Sequence, residues 1–224
     1  MAFNLLKKLN NPMSILEKYD LFIFDWDNTL SSSTAPVNAL QRLKKDFSIM
    51  YAKAHPEKYT KEVKLGNIQL TEDEHSFYSA LYDCYTYFFR PGMKKDALKV
   101  LMYLKGKKKK VAVFSDAKKY RLYTETRKSG ATEYIDLELS SEAINYYKPH
   151  PAGLLLIMDR FKVSRKRTLY IGDAASDILT AEFARVDGCG VADGIETYEG
   201  LKAAQAKYVF KDLDAFLAAV RQKR

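Results

Sequence analysis

The sequence predicts an α/β protein with a Rossmann-like, doubly wound parallel sheet and a small inserted helical cap. Short apolar runs alternate with stretches in which apolar residues recur at helical spacing, the pattern of strands joined by crossover helices. Of the 224 residues, 47% are hydrophobic and 29% are charged, which is typical of a globular protein with a substantial core. One interval between strands is far longer than a crossover requires, which indicates an insertion.

Six apolar runs are the candidate strands. Each is short and bounded by polar or turn-forming residues, as expected for strands that are buried on both faces. The runs span residues 21–25, 111–115, roughly 135–139, 168–172, 189–192 and 207–210.

Two intervening segments have clear helical spacing. Their apolar residues recur three and four positions apart, so each helix would present one apolar face to the sheet. Gly106 and Gly130 stand where two helices should end, because glycine readily adopts the backbone conformation of a helix C-terminus. The two apolar faces consist of Ala97, Leu98, Leu101 and Leu104, and of Leu154, Leu155, Met158 and Phe161.

The insertion lies between the first two candidate strands, which are about 85 residues apart. It contains two amphipathic patterns joined by residues 55–70, and the second begins at a capping box, residues 71–74. We therefore predict an α/β core of residues 1–32 and 90–224, with residues 33–89 forming a helical cap. The apolar faces of this predicted hairpin are Leu40, Leu43, Phe47, Met50 and Ala54, and Phe77, Leu81, Cys84 and Phe88.

The net charge of +9 is concentrated in one segment. Residues 94–128 hold 13 basic and 3 acidic side chains, an excess larger than that of the whole chain. The densest part, residues 105–110, directly precedes a candidate strand. Charge runs at such turns are usually solvated, so we interpret this one as a surface corner rather than a nucleic-acid site.

We expect a cytoplasmic protein without a membrane span. No stretch approaches the roughly 18 apolar residues that a span requires. The opening apolar residues 3–6 are followed by Lys7 and Lys8 and are too few for a signal peptide. Cys84 and Cys189 lie far apart, which favours buried free thiols over a metal site.

Two aspartates stand at the end of the first candidate strand. A strand that ends here can turn so that Asp25, Asp27 and Thr29 converge beyond its carboxyl edge. That edge is where open α/β sheets bind ligands. Taken alone the pair is weak evidence, because Asp-x-Asp is common in turns and helix caps.

Three later segments place more polar groups at the same edge. The second candidate strand ends in Ser115, and a helix start follows whose N–H groups could hold an anion. Lys148 lies in a loop fixed by two prolines just ahead of a helix. The fourth candidate strand ends in a turn that carries Asp173 and Asp177.

Together these groups suit a divalent hard cation bound to a phosphate. Carboxylate oxygens are ligands that hard divalent cations prefer, and the cation would offset the repulsion among them. Each motif by itself occurs often in purely structural roles. Their joint occurrence, each at a predicted strand end or helix entry, favours a functional site.

The same residues carry a resemblance to a known family. Residues 22–30, Phe-Ile-Phe-Asp-Trp-Asp-Asn-Thr-Leu, are similar to the first motif of the haloacid dehalogenase superfamily. Residues 111–115, Lys148 and residues 171–177 resemble its second, third and fourth motifs. The branch most like this chain is that of phosphoglycolate phosphatases and related small-molecule phosphatases, which carry a helical cap between the first two motifs. Asn28 stands where that family frequently has glycine.

The resemblance implies a Mg²⁺-dependent phosphatase that acts on a small phosphorylated metabolite through an aspartyl-phosphate. Asp25 would be the nucleophile, and Asp27 would first donate and later accept a proton. The implied metal residues are Asp25, Asp173, the backbone carbonyl of Asp27, and Asp177 in an outer position. The candidate substrate-binding residues are Thr29, Ser115, Asp116 and Lys148.

Other functions stay open at this point. A phosphomutase would use the same residues but return the phosphoryl group to a sugar. A polynucleotide phosphatase is favoured only by the basic segment 94–128. A catalytically silent binding module is disfavoured because every required group is present. We expect a small phosphorylated substrate, with neither nucleic acid nor membrane as a partner; the sequence does not determine the oligomeric state.

Overall fold

A six-stranded sheet with only parallel neighbours forms the centre of the molecule. The computed structural model describes residues 14–32, 35–61, 63–68 and 92–222. The sheet consists of β1 (Leu21–Phe24), β4 (Lys110–Ser115), β5 (Leu137–Ser140), β6 (Thr168–Gly172), β7 (Asp187–Val191) and β8 (Tyr208–Phe210). Their order across the sheet is β5-β4-β1-β6-β7-β8. This topology confirms the predicted fold class.

Helices connect the strands and cover both faces of the sheet. In chain order they are α1 (Ile15–Lys18), α2 (Ala35–Ala54), α3 (Glu57–Thr60), α4 (Ala97–Gly106), α5 (Lys119–Lys128), α6 (Ser141–Ile144), α7 (Ala152–Phe161), α8 (Ala175–Ala184), α9 (Tyr198–Ala203) and α10 (Leu213–Arg221).

Alternate residues of β1 point into two separate hydrophobic cores. Phe22 and Phe24 pack in the core that also contains the apolar residues of α4 and α10. Leu21 and Ile23 pack on the other face, with those of α7 and α8. All four residues are fully buried, which explains why this strand is a continuous apolar run in the sequence.

The predicted strands lie close to the observed ones, with shifts of one or two residues. The strand predicted at roughly 135–139 covers Leu137–Ser140, because a 3-10 turn over Ala131–Tyr134 delays its start. The strand predicted at 189–192 covers Asp187–Val191. The turn between α5 and β5 contains Gly130 at φ 74°, in the left-handed region where glycine is favoured.

The insertion leaves and re-enters the core through a short antiparallel ribbon. Strand β2 (Ser31–Ser32) pairs with β3 (Gly92–Met93), on either side of the predicted cap. Helix α2 matches the first predicted cap helix and packs against α8. The second predicted cap helix, from Thr71 through Phe88, lies outside the described residues. The division into core and cap stays a prediction.

The lysine-rich run lies far from the carboxyl edge of the sheet. Lys110 begins β4, so residues 105–110 stand at the amino end of that strand. Lys107 and Lys108 are exposed, and Lys109 pairs with Asp20. Cys189 is buried and free, whereas Cys84 falls outside the described residues. In the part of the chain that the structure describes, every helix is too short or too polar to cross a membrane.

Asp187 links the amino-terminal segment to the sheet through hydrogen bonds. Removal of its carboxylate should lower the free energy of unfolding in a pH-dependent way. Its Oδ2 accepts hydrogen bonds from Lys18 Nζ (2.7 Å), Lys207 Nζ (2.8 Å) and Tyr19 Oη (2.5 Å). Burial alone would raise the pKa of Asp187, but these hydrogen bonds lower it overall. The stability that the carboxylate contributes is therefore present above its unfolded-state pKa of about 3.9 and lost as pH falls through the lower folded-state value.

We expect Asp187→Asn to lower the free energy of unfolding at pH 7 by about 1.5 to 3 kcal/mol, the scale of hydrogen bonds to a charged group. The deficit should shrink at pH 3.5, as measured by urea unfolding at both pH values. Asp214→Asn, at an exposed position of α10, is the control. An equal deficit at the two pH values would contradict this role for the charge of Asp187.

Candidate active site

The carboxyl ends of β1, β4 and β6 bring the predicted site residues together. Strand β1 lies between the other two, and the backbone N–H of Asp25 continues its ladder by donating to Ile171 O (2.8 Å). From β1 the chain continues to β4 and β5 on one side of β1, and it then returns to β6 on the opposite side of β1. Ligands bind at such a topological switch point in open α/β sheets.

Three buried carboxylates meet at this point. Asp25, Asp173 and Asp177 each offer an oxygen, and these oxygens lie within 4.8 Å of one another. Asp177 reaches the cluster from the first turn of α8 because Gly172 leaves room for it. A Cβ atom at position 172 would lie 2.4 Å from the Asp177 side chain, so any larger residue would displace that carboxylate.

Hydrogen bonds orient the Asp173 carboxylate. Its Oδ2 accepts from the backbone N–H of Ile195 (2.7 Å), and its Oδ1 accepts from the Thr29 hydroxyl (3.3 Å). Thr29 is fully buried. The structure thus gives Thr29 a role in positioning Asp173, whereas its contact with substrate stays a prediction.

Lys148 inserts its ammonium between two of the carboxylates. Its Nζ lies 2.8 Å from Asp25 Oδ1 and 2.8 Å from Asp177 Oδ1. The loop that carries it is held by Asp116, whose Oδ1 accepts from the Lys148 backbone N–H (3.1 Å) and from the Ser141 hydroxyl. Asp116 therefore positions Lys148 in this structure, and direct substrate binding by Asp116 stays a prediction.

Ser115 ends β4 at the same edge and is fully buried. Its Oγ accepts a hydrogen bond from the backbone N–H of Ala117 (3.1 Å). Anion binding by the N–H groups of the following helix start also stays a prediction. Helix α5 begins only at Lys119, and the N–H of Lys119 donates to Glu142 Oε2 (2.8 Å). Phosphoryl binding by Ser115 stays a prediction.

Asp27 lies outside the carboxylate cluster, in a second polar group. Its Oδ2 pairs with Arg121 Nη2 from α5, and Arg121 Nη1 also donates to Glu125 Oε1 (3.3 Å). The indole N–H of Trp26 donates to Glu125 Oε2. Asp27 Oδ1 is buried and has no hydrogen-bond partner among the described residues. One oxygen is thus held in place while the other remains available for proton transfer.

Sequence reasoning missed two cations of the site, Arg121 and Lys45. Lys45 extends from α2, and its Nζ lies 3.6 Å from Asp173 Oδ1 and 4.0 Å from Asp25 Oδ2. Both residues stand among other basic side chains on helices, so only the rotation and packing of those helices distinguish them. No local sequence signal marks either residue.

Burial dominates the electrostatics of Asp25. It raises the pKa of Asp25 to about 7, with a further contribution from the negative charge of Asp177, while Lys148 and Lys45 oppose the increase. The pKa of Asp173 is also raised by burial. Additional positive charge at the cluster would favour the ionised form of both carboxyl groups.

The donor set fits a divalent hard cation. Both oxygens of Asp25 are buried and accept no hydrogen bond from a described residue, and the surrounding ligands are carboxylate oxygens. Asp25 and Asp173 could hold such an ion directly. Asp177 is already engaged by Lys148, Tyr170 and the backbone N–H of Ala174, which suits an outer position.

A cavity opens beside the Lys148 loop. Its volume is about 450 Å³, within the range of small-molecule sites. Residues of α2 and α3 line one side of the cavity, and residues of the Lys148 loop line the other. They are Phe47, Ser48, Tyr51 and Tyr59, and Asn145, Tyr146, Tyr147, Lys148 and His150.

The fold and site define a class of protein: an α/β protein with paired aspartates after its first strand and a lysine and further carboxylates at the same sheet edge. A family model described as haloacid dehalogenase-like hydrolase matches residues 19–185. The chain belongs to this family, which confirms the resemblance carried by its four motifs.

Comparisons with individual proteins agree with this membership. The chain is 36% identical over 81 residues to "Probable phosphatase IndB" from Dickeya dadantii, a match covering 36% of the chain and 35% of the relative. It is 25% identical over 88 residues to phosphoglycolate phosphatase from Escherichia coli, covering 39% and 35%. The matched regions thus span about a third of each relative.

A solved structure with the same fold covers nearly the whole chain. The structure, of a predicted phosphoglycolate phosphatase from Haemophilus somnus, has a TM-score of 0.66 and 20% identity. It covers 94% of this chain and 100% of its own. At this identity the likeness shows the fold alone.

Proposed function

We propose that the protein is a Mg²⁺-dependent phosphatase that hydrolyses a small phosphorylated metabolite through an aspartyl-phosphate. The observation that carries the proposal is the buried Asp25 carboxylate, which accepts no hydrogen bond from a described residue and lies beside Lys148 and two further carboxylates. Family membership and the phosphatases among the relatives support it.

In the first step an oxygen of Asp25 attacks phosphorus and the ester P–O bond breaks. Asp27 gives its proton to the departing alkoxide, so the products are an alcohol and an acyl phosphate on Asp25. Ser115 and Lys148 bind the phosphoryl oxygens, and the charge of Lys148 stabilises the transition state. In the second step water attacks phosphorus and Asp27 takes a proton from the water. The bond between phosphorus and Asp25 breaks, phosphate is released, and the Asp25 carboxylate is restored.

Mg²⁺, held by Asp25, Asp173 and the backbone carbonyl of Asp27, would neutralise charge on the carboxylates and on the phosphoryl group. Thr29 and Ile195 fix the orientation of Asp173 for this task. Arg121 keeps one oxygen of Asp27 in place. Helices α2 and α3, which belong to the predicted cap, line the cavity beside Lys148 and would bound the space for the substrate.

A panel of phosphate esters tests the proposal. Phosphoglycolate, sugar phosphates and an oligonucleotide 3′-phosphate should be assayed for phosphate release with Mg²⁺ present. Release from small esters is expected, with phosphoglycolate the first candidate because of the relative from E. coli. Isomerised sugar phosphate without phosphate release would indicate a phosphomutase, and selective release from the oligonucleotide would indicate a polynucleotide phosphatase.

Asp27→Asn should separate proton transfer from phosphoryl transfer. We expect kcat/KM on an alkyl phosphate, which reports the steps up to phosphoryl transfer, to fall by about 10² to 10⁴, because its leaving group needs a proton. The loss on p-nitrophenyl phosphate should be far smaller, since nitrophenolate leaves without one. Steady-state kinetics on both esters measures the ratio, with Asp159→Asn at an exposed position as control. Equal losses would mean that Asp27 is structural.

A further inference from the structure

Lys45 carries positive charge from the insertion into the catalytic site. It lies on α2, and its Nζ is buried and has no hydrogen-bond partner among the described residues. Ala52, seven residues further on, lies on the same face of α2 and is fully buried. Since α2 packs against α8, which carries Asp177, the position of Lys45 is fixed by the contact between these two helices.

Among the described residues, no acceptor lies at good hydrogen-bond distance from the buried ammonium of Lys45. Its distances to Asp173 Oδ1 (3.6 Å) and Asp25 Oδ2 (4.0 Å) are too long for good hydrogen bonds. Lys148 Nζ, by contrast, lies 2.8 Å from the other oxygen of Asp25 and donates a hydrogen bond to Asp177 Oδ1 (2.8 Å). A buried ammonium with three unsatisfied N–H groups is costly, which indicates that its acceptor belongs to a bound ligand.

Formal charges indicate that this ligand is an anion. The three carboxylates and the two ammonium groups sum to a net charge of −1. A bound divalent cation changes that sum to +1, which favours a phosphoryl dianion. Without Lys45 the same sum would be zero. Lys45 therefore makes the net charge of the metal-bound site positive, which favours binding of an anion.

The distance between Lys45 and the nucleophile Asp25 indicates which part of the substrate Lys45 would contact. In an in-line attack, phosphorus stands about 3 to 3.5 Å from the attacking oxygen. Phosphorus and Lys45 Nζ, which is 4.0 Å from Asp25 Oδ2, then lie near the same carboxylate oxygen, an arrangement that allows Lys45 to donate a hydrogen bond to a non-bridging phosphoryl oxygen.

We propose that Lys45 is a phosphoryl-binding residue supplied by the cap helix α2, opposite Lys148. The inference rests on the proposed phosphatase function. It adds that the phosphate site is complete only when α2 packs against α8. The competing explanation is that Lys45 only compensates the acidic cluster and makes no contact with phosphate.

The test measures binding of inorganic phosphate, the expected product, by calorimetry in the presence of Mg²⁺. Lys45→Met and Lys45→Gln should raise the phosphate Kd by about tenfold or more, equivalent to about 1.4 kcal/mol. Lys45→Arg should stay within about threefold of wild type because it keeps the charge. Lys53→Met, an exposed lysine of the same helix, is the matched control and should change nothing.

Binding of Mg²⁺ alone, followed by the fluorescence of Trp26, distinguishes the two explanations. A phosphate Kd within twofold of wild type in both neutral variants, together with tighter Mg²⁺ binding, would overturn the inference and establish charge compensation. If the wild-type protein binds phosphate and hydrolyses esters while Lys45→Met and Lys45→Gln keep the wild-type KM, the role of Lys45 is disproved but the proposed phosphatase function stands. If the wild-type protein binds no phosphate and hydrolyses no ester, the proposed function itself fails.

Discussion

Asp25→Asn should lower kcat by about 10³-fold or more, the scale expected when one member of a concerted catalytic unit is removed. An amide oxygen is a poor nucleophile, and the side chains around it supply no substitute: Asp173 is held by Thr29 and Ile195, and Asp177 by Lys148 and Tyr170. Steady-state kinetics on the preferred ester measures the loss.

The Asp25→Asn variant should lose activity without losing stability. Asp25 is buried among two other carboxylates, so removing its charge relieves repulsion while Lys148 keeps Asp177 as a partner. We therefore expect the thermal midpoint of metal-free Asp25→Asn to equal or exceed that of wild type. Asp214→Asn, an exposed substitution, should retain full activity. Activity within tenfold of wild type in Asp25→Asn would exclude Asp25 as the nucleophile.

Removal of divalent cations should abolish activity, and Mg²⁺ should restore it. The buried acidic cluster offers oxygen ligands only, which favours Mg²⁺ over the softer ions that prefer cysteine and histidine. Protein dialysed against EDTA should show less than about one hundredth of its activity, consistent with loss of several kcal/mol of charge stabilisation. Titration with Mg²⁺ and with Zn²⁺ compares the two ions.

A second measurement makes this prediction independent of turnover. An ion that binds only the folded protein raises the unfolding free energy, so the thermal midpoint should rise with Mg²⁺ concentration. Asp173→Asn should weaken that rise strongly, whereas Asp159→Asn, an exposed control, should leave it unchanged. Full activity in EDTA after dialysis, or a Mg²⁺ response that is the same in Asp173→Asn, would contradict the assigned site.

The sheet and its chemically important edge could be predicted because their signals are local. Strands buried on both faces form continuous apolar runs, as in Leu21–Phe24 and Thr168–Gly172, and the residues after them necessarily project from one edge of a parallel sheet. The spacing of Asp25, Ser115, Lys148 and Asp173 along the chain therefore already indicates that these residues converge. Strand bounds shifted where a turn, such as the one over Ala131–Tyr134, has no apolar signature.

The partners of these residues were decided by the tertiary structure. Thr29 bonds to Asp173 and Asp116 to the Lys148 loop, although the sequence suggested substrate contact for both. Arg121 reaches Asp27 only because α5 turns that face toward β1. Lys45 reaches Asp25 only because α2 packs on α8. The period of the apolar residues specifies where the strands end and therefore which groups stand at the sheet edge. Helix rotation and packing, which depend on contacts distant in the chain, decided which charges meet there.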